Sequence, residues 1–507
     1  MFFVPIYIEA LRSRPRLVFW IAALSQALIW IAVPVLFYAA PPPNLAQLLA
    51  IGHELRFNSA VGPPLAYWLG EVAFRIGGLP GVYVLAQLCV LATYWCVFAL
   101  ARAIVGPVHA VLAVLVMVGI SLFTVPSPDF GPPILAMALW AAVLLSYWQA
   151  VVEGDKRAWP VLGAAAALLL LTSDAALVFL GTLGVFTAAT RRGRLAFDAT
   201  EPWAVAVVLA FVLFAHLLWL NLGSDGIGAV LAHLHSAQSA ASNMSAWLKF
   251  LGALALAHAG LVVLVVLAGG WPHISASPAP PIVREPVDSF ALTFVKVFAL
   301  VPALLATVLG VLFGRVTPIG GLPPLVVISG LAVIVAAGDV IMLYHQRILG
   351  FAWAGLLLGP ATFVPLVLLT LPWVLGVDFK VAQPARAMAH FFADSFERRT
   401  GHPLAVVAGD PVTAALVAVD APSRPRVFFG ADPARLSWMS ADELRQKGAI
   451  VVWPASEASP GPPPAIKATF PDLVAEVPET FSRPVQGRLP VLRVGWGLIR
   501  PGSVAAP

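Results

Sequence analysis

The residues best suited to chemistry sit at the ends of long apolar segments. They are Asn44, His53, Glu54, Asp129 and Asp174, with Arg56, Arg75 and Arg315 nearby in the topology derived below. A carboxylate such as Glu54 or Asp129 can take a proton from a hydroxyl nucleophile, provided it is ionised at working pH. A guanidinium can hold a phosphate through paired N–H bonds. Asn44 carries an amide, which cannot act as a base. Each residue also has a plainer role. Asp129 follows Ser127-Pro128 at the mouth of an apolar segment, where an aspartate can cap a helix. Asp174 can do the same for the segment after it. His53-Glu54 fits the solvated face of an interfacial helix, and the arginines fit membrane-surface anchors. His233 and His235 alternate in another loop, but no carboxylate lies close enough in sequence to complete a metal site. No cofactor is identified, and a divalent metal is not supported by any ligand cluster.

The elements that position these residues belong to a membrane. The chain has 507 residues, 60% of them hydrophobic and 11% charged, against about 25% charged in soluble domains. From Asp378 onward lie 26 of the 55 charged residues. The chain therefore divides into a membrane region, 1–376, and a water-soluble region, 377–507. The net charge of +5 reflects loop lysines and arginines that set orientation, and gives no reason to expect nucleic acid. Cys89 and Cys96, the two cysteines, are seven residues apart in an apolar segment. On one helix that is about 10.5 Å, too far for a disulfide.

A membrane span needs roughly 20 apolar residues. Segments that approach this are 17–39, 81–104, 107–124, 133–152, 159–172, 174–190, 203–222, 247–269, 289–313, 322–343 and 349–376. The first is too long for the apolar part of a signal peptide and reads as a retained span. The 159–172 and 174–190 pair, joined at Ser173-Asp174, fits two short spans or one re-entrant feature. With about 11 spans, the clusters Arg12/Arg14/Arg16, Arg102, Lys156/Arg157, Arg191/Arg192/Arg194, Arg284 and Arg347 fall on one side, which the positive-inside rule makes cytoplasmic. Residues 40–80, 125–132, 173–174, 223–246, 314–321 and 377–507 fall on the other. Within 40–80, the stripe Leu45, Leu48, Leu49, Leu55 predicts an amphipathic helix in the interface. Pro63-Pro64 predicts the start of a second helix.

In the soluble region, Ala385–Arg398, Val412–Val419 and Ala441–Lys447 read as helices. Leu404–Ala408, Val427–Phe429, Ala449–Trp453 and Leu492–Leu498 read as strands. Their alternation implies a small α/β domain with some parallel sheet. Gly409-Asp410 closes a strand and reads as a turn, with ligand binding the sharper alternative.

Three motifs occur in order along the chain: Asn44-Leu45 with Pro63-Pro64-Leu65 and Trp68-Leu69; Ser127-Pro128-Asp129 with Pro132-Pro133; and Leu171-Thr172-Ser173-Asp174. In this the chain resembles the family 39 glycosyltransferases of the GT-C superfamily, which include lipid A aminoarabinose transferases and protein O-mannosyltransferases. The resemblance covers roughly residues 10–220 by motif and reaches about 376 by topology. It implies an all-α polytopic membrane fold with a small C-terminal α/β domain. It also implies transfer of a sugar from a polyprenyl-phosphate carrier to an envelope lipid or glycan, outside a bacterial inner membrane. The N-terminus would be cytoplasmic and residues 377–507 periplasmic. Partners would be the carrier-linked sugar, the acceptor and membrane lipids, with a protein partner for 377–507 a further option. Asp129, Asn44 and Glu54 would serve the chemistry, Arg56, Arg75 or Arg315 the carrier phosphate, and His53, Pro63, Pro64 and Asp174 the surrounding loops.

The chain departs from the family where Asn44 replaces the usual first-loop acid, and where Ser173-Asp174 replaces a lysine-tyrosine pair. Three consequences stay open. The acceptor is already anionic and needs no base; another carboxylate, Glu54 or Asp129, substitutes; or the chain is an inactive relative serving as a scaffold or accessory subunit. A transporter is a fourth reading, disfavoured because no span centre holds the charged pairs that mark ion coupling.

Overall fold

The computed structural model describes residues 9, 11–55, 62–223, 243–269, 271, 281–315, 317–428, 441–456 and 461–502. Arg56, His233 and His235 lie outside the described residues.

The membrane region is helical. Its elements are α1 (Pro15–Phe37), α2 (Pro43–Gly52), α3 (Leu65–Met117), α4 (Pro132–Val151), α5 (Ala158–Leu170), α6 (Ala175–Ala189), α7 (Glu201–Gly223), α8 (Asn243–Ala257), α9 (Ala259–Ala268), α10 (Ser289–Leu312), α11 (Ser329–Ala336) and α12 (Gln346–Val374). Among the described residues, α1, α3, α4, α10 and α12 are long and apolar enough to cross a membrane, and α8 with α9 adds a sixth span if that pair, bent by 49°, is counted as one. The segments at 81–104 and 107–124, expected as two spans, are continuous in α3 but fold back on each other, so that the Tyr94 and Phe123 rings meet at 5.1 Å. Non-helical backbone at Gly77, Gly78 and Gly106 breaks α3, and Pro80 and Pro107 follow these breaks. The segments at 159–172, 174–190 and 322–343 form helices of 13, 15 and 8 residues, each shorter than the roughly 20 residues a span needs.

Buried amides inside the membrane region fix the loop between α3 and α4. Gln26 on α1 takes a hydrogen bond from the Tyr94 hydroxyl at 3.0 Å and donates to the Phe123 carbonyl at 2.8 Å. Gln87 on α3 donates to Ser127 Oγ at 2.9 Å, and Ser127 in turn donates to the Thr124 carbonyl at 2.7 Å. Such bonds replace the water that a polar group loses on burial. They leave Ser127-Pro128-Asp129 in a defined place.

The C-terminal region carries α13 (Ala385–Thr400), α14 (Pro411–Asp420), α15 (Ala441–Lys447) and a mixed sheet. After the short pair β1 (Ile282–Val283) and β2 (Val340–Ile341) of the membrane region, strands β3 (Val406–Gly409), β4 (Arg426–Phe428) and β5 (Ala449–Pro454) are parallel, and β6 (Val474–Ala475), β7 (Glu479–Phe481) and β5 each pair antiparallel with β8 (Leu492–Ile499). The expected alternation of helix and strand holds. Gly409 has φ 110, and a Cβ there would lie 2.0 Å from the Val452 carbonyl oxygen, so only glycine fits. Asp410 caps α14, accepting from Thr413 N at 2.9 Å and Thr413 Oγ1 at 2.7 Å. Gly409-Asp410 is thus a turn and a cap.

Helix α2 is where the two regions meet. The leucine stripe forms, as Leu45, Leu48 and Leu49, and packs into the membrane side with Tyr83, Phe130 and Ile134. The opposite face does not lie open at an interface. Ala46 and Ala50 pack into the core of the C-terminal region with Ala414, Ala415 and Ala418 of α14. Small side chains on both helices let them approach closely.

Candidate active site

Asp129 is the centre of the site. Its Oδ2 accepts from Asn44 Nδ2 at 2.7 Å, and its Oδ1 accepts from the Leu45 backbone N–H at 2.9 Å. Asp129 does cap a helix, but not the one that follows it in sequence. Helix α4 has Gly131 at its cap position with no side-chain cap bond, whereas the carboxylate of Asp129 satisfies a free amide in the first turn of α2. A negative group there is favoured by the helix dipole. Burial pushes the Asp129 carboxyl above its ordinary value, and the bonds from Asn44 and Leu45 oppose that rise. The Tyr38 phenol, just past α1, is also raised, first by burial and then by the charge of Asp129. A buried carboxylate of raised pKa is a stronger proton acceptor than an ordinary one.

The loops carrying the three sequence motifs converge here. Pro63 and Pro64 are buried at the start of α3, and the Leu65 N–H donates to the Leu171 carbonyl at 2.9 Å. Gly320, at φ +79, lies against Ala175 and Ser173, and Gly321, at φ +80, lies against Pro133. Asp174 is half-buried beside this junction, and its side chain does not cap α6.

A second polar cluster sits at the other end of α2. Glu71, with a side chain 1% exposed, receives Arg75 Nε at 2.9 Å, His53 Nδ1 at 3.1 Å and Arg424 Nη2 at 2.8 Å. Arg75 Nη2 also donates to the His53 carbonyl at 3.1 Å. Arg75, expected as a phosphate ligand, is therefore engaged by a carboxylate. Glu54, expected near the chemistry, is instead paired with Arg426 Nε at 2.9 Å. A cleft of about 350 Å³ opens between His53-Glu54 and Ser423–Arg426. Arg315 is half-buried; its backbone N–H closes the end of α10 on the Gly310 carbonyl at 2.8 Å. Its guanidinium has no ion-pair partner among the described residues.

Several contributors escape a reading of the sequence. Glu71 is one, and its place four residues before Arg75 on a helix signals their pairing. Gln26 and Gln87 stand out as amides within apolar runs, a pattern that marks an intramembrane polar contact. Arg424 and Asp420 carry no such signal. Burial pushes the Asp420 carboxyl up, opposed by Arg386, Arg424 and His390, and only the packing of α14 on α2 brings it to this seam.

Comparison with known proteins gives the following. Residues 61–219 match the profile of the dolichyl-phosphate-mannose-protein mannosyltransferase family. No curated protein sequence matches the chain. ArnT from Cupriavidus metallidurans bound to undecaprenyl phosphate superposes with a TM-score of 0.61 at 12% identity, covering 97% of this chain and 99% of that one. The apo form of the same protein gives 0.59 at 12% identity, covering 97% and 98%. At that identity the likeness concerns the fold. The chain thus shares the fold of that ArnT over nearly its full length, and over residues 61–219 its sequence resembles the dolichyl-phosphate-mannose-protein mannosyltransferase family.

Proposed function

We propose that the protein is a membrane glycosyltransferase that moves a sugar from a polyprenyl-phosphate carrier to an envelope lipid or glycan. The observation that carries this reading is the Asn44–Asp129 pair at the meeting point of the three motif loops. The matched family profile and the shared fold with ArnT, whose structure holds undecaprenyl phosphate, support it. The acceptor oxygen attacks the anomeric carbon, the bond from that carbon to the carrier phosphate breaks, and polyprenyl phosphate leaves. When the acceptor is a hydroxyl, its proton passes to Asp129. Of the two carboxylates that could replace the family's first-loop acid, Glu54 is held by Arg426, and Asp129 is the better candidate. Asn44 then serves as the donor that orients it. Arg315 is our candidate for the carrier phosphate, since Arg75 is paired with Glu71. The catalytic face is the periplasmic side of a bacterial inner membrane, with the C-terminal region on that side.

One observation favours a non-catalytic scaffold: both Asp129 oxygens already accept a hydrogen bond. A carboxylate has about four lone-pair positions, however, so two remain for an acceptor. The experiment is mass spectrometry of lipids and glycans from a deletion strain complemented with wild type, Asp129→Asn or Asn44→Asp. A glycosylated product restored by wild type and not by Asp129→Asn is expected. No glycan change in any strain refutes the transferase and leaves the scaffold.

A further inference from the structure

We infer that Arg424, in the C-terminal region, is a positioning residue that sets the pose of α2 and through it the Asn44–Asp129 pair. This rests on the transferase reading for its catalytic consequence, but not for its structural one. Helix α2 is anchored at both ends. At its start, Leu45 N–H and Asn44 bind Asp129. At its end, His53 meets Glu71, and the neighbouring Glu54 is taken by Arg426. Arg424 completes this far anchor across 353 residues of sequence, with Nη2 donating to Glu71 Oε2 at 2.8 Å.

Three independent features mark Arg424 as built for this place. Its guanidinium lies over the Phe74 ring, 4.4 Å from the centroid, the stacked geometry that arginine favours on aromatic faces. Its Nη1 donates to the Val419 carbonyl at 3.1 Å. Its backbone sits at φ +49, a region that costs a residue with a side chain and persists only where its surroundings enforce it. The corner between α14 and β4 therefore takes up local strain while delivering a cation to a buried carboxylate of the membrane region. Val419, just before that corner, is buried with Leu45, Tyr83 and Phe130, so the same helix that carries the corner also covers the start of α2. The C-terminal region is thus the outer wall of the site.

The test uses the full-length protein in lipid nanodiscs, with Arg424→Gln, Arg424→Lys and a control, Arg399→Gln. Arg399 pairs with Glu476 and lies over Trp496 within the C-terminal region, so its loss loosens that region without touching Glu71. Hydrogen exchange across residues 44–52 is read first. We expect it to rise in Arg424→Gln, to rise less in Arg424→Lys, which keeps the charge, and to stay at the wild-type level in Arg399→Gln. In the same preparations, kcat for transfer from a polyprenyl-phosphate sugar should fall by on the order of 10²-fold in Arg424→Gln with KM unchanged, the size of effect that about 1 Å of misplacement produces. Unchanged exchange at 44–52 in Arg424→Gln, or an equal rise in Arg399→Gln, overturns the inference. A wild-type protein without transfer activity sinks the transferase reading alone, because the exchange measurement still decides the anchor.

Discussion

Replacing Asp129 by asparagine removes a charge while leaving the shape of the group almost unchanged, and so separates chemistry from architecture. In the wild type the carboxylate accepts from Leu45 N–H at 2.9 Å and from Asn44 Nδ2 at 2.7 Å. Asparagine keeps an amide oxygen for Leu45, and the exposed Asn44 side chain can turn its own oxygen toward the new NH₂. Both contacts survive as neutral bonds, which are roughly half as strong as charge-assisted ones. Since a net hydrogen bond to a charged group contributes about 1.5–3 kcal/mol and a neutral one about 1, the simple loss over the two bonds is about 1–4 kcal/mol. Burial works the other way: it outweighs both bonds and raises the Asp129 carboxyl, so removing the charge offsets most of that loss. We expect Asp129→Asn to cost under about 1 kcal/mol, and Asp129→Ala, which deletes a helix cap and both bonds, to cost about 2–4 kcal/mol. Turnover should fall in both, and in Asp129→Asn by the 10²–10⁴-fold that a general base typically contributes. Thermal melting and transfer assays on the same preparations test this. If Asp129→Asn turns over within a few-fold of wild type while Asp129→Ala is lost with its fold, Asp129 is a cap and the catalytic assignment is wrong.

Three further outcomes follow from the same geometry. Because Asp129 is raised by burial in the folded protein, its stabilising share is complete below the unfolded value of about 4 and is lost as pH rises through the folded value. The base form gains over that same rise, so the acid limb of kcat/KM should lie above about 4; a limb at or below that value contradicts the assignment. Gln87→Leu removes the donor to Ser127 Oγ and also a buried amide oxygen that lacks a hydrogen-bond partner. Its melting temperature should hold or rise, while turnover falls by about tenfold through loss of loop position; equal turnover would show that the Gln87 tether does not matter. Gly320→Ala places a Cβ 2.3 Å from that of Ala175 at φ +79 and should destabilise by about 1–3 kcal/mol, read as a lowered thermal midpoint.

What the sequence could reveal follows from the range over which each interaction acts. Composition, apolar segments and the alternation of elements after Asp378 depend on residues close in sequence, and the helical membrane region and the α/β region are both legible from them. The break at Gly106-Pro107 is legible too, and so is its meaning. The dipeptide that suggests a turn between two spans is one in the structure: the backbone leaves the helix at Gly106, and the segments on either side run back past each other, bringing Tyr94 to Phe123. The Asn44–Asp129 bond joins residues 85 apart, and Arg424 reaches Glu71 across 353; no local pattern encodes either pairing.

The leucine stripe of α2 shows how a correct local pattern can point to the wrong neighbour. An apolar face opposite a mixed one is what a helix in a membrane interface requires, and the stripe does bury toward the membrane helices. The other face is made of Ala46 and Ala50, whose small size is neutral in a helix lying on lipid and valuable in a helix packed against another. The structure uses it for α14. With α2 enclosed on both faces, Leu45 in its first turn is buried although Asn44 stays exposed, and the free Leu45 amide takes a partner from the protein. Asp129 is that partner. A second carboxylate at position 44 would then stand about 2.7 Å from the first, where two like charges cannot both stay ionised without strain. An amide at 44 donates instead. In this packing, Asn44 is the donor that helps a buried carboxylate at 129 remain charged, and so the replacement that first counts against activity supports the acid that the second motif already carries.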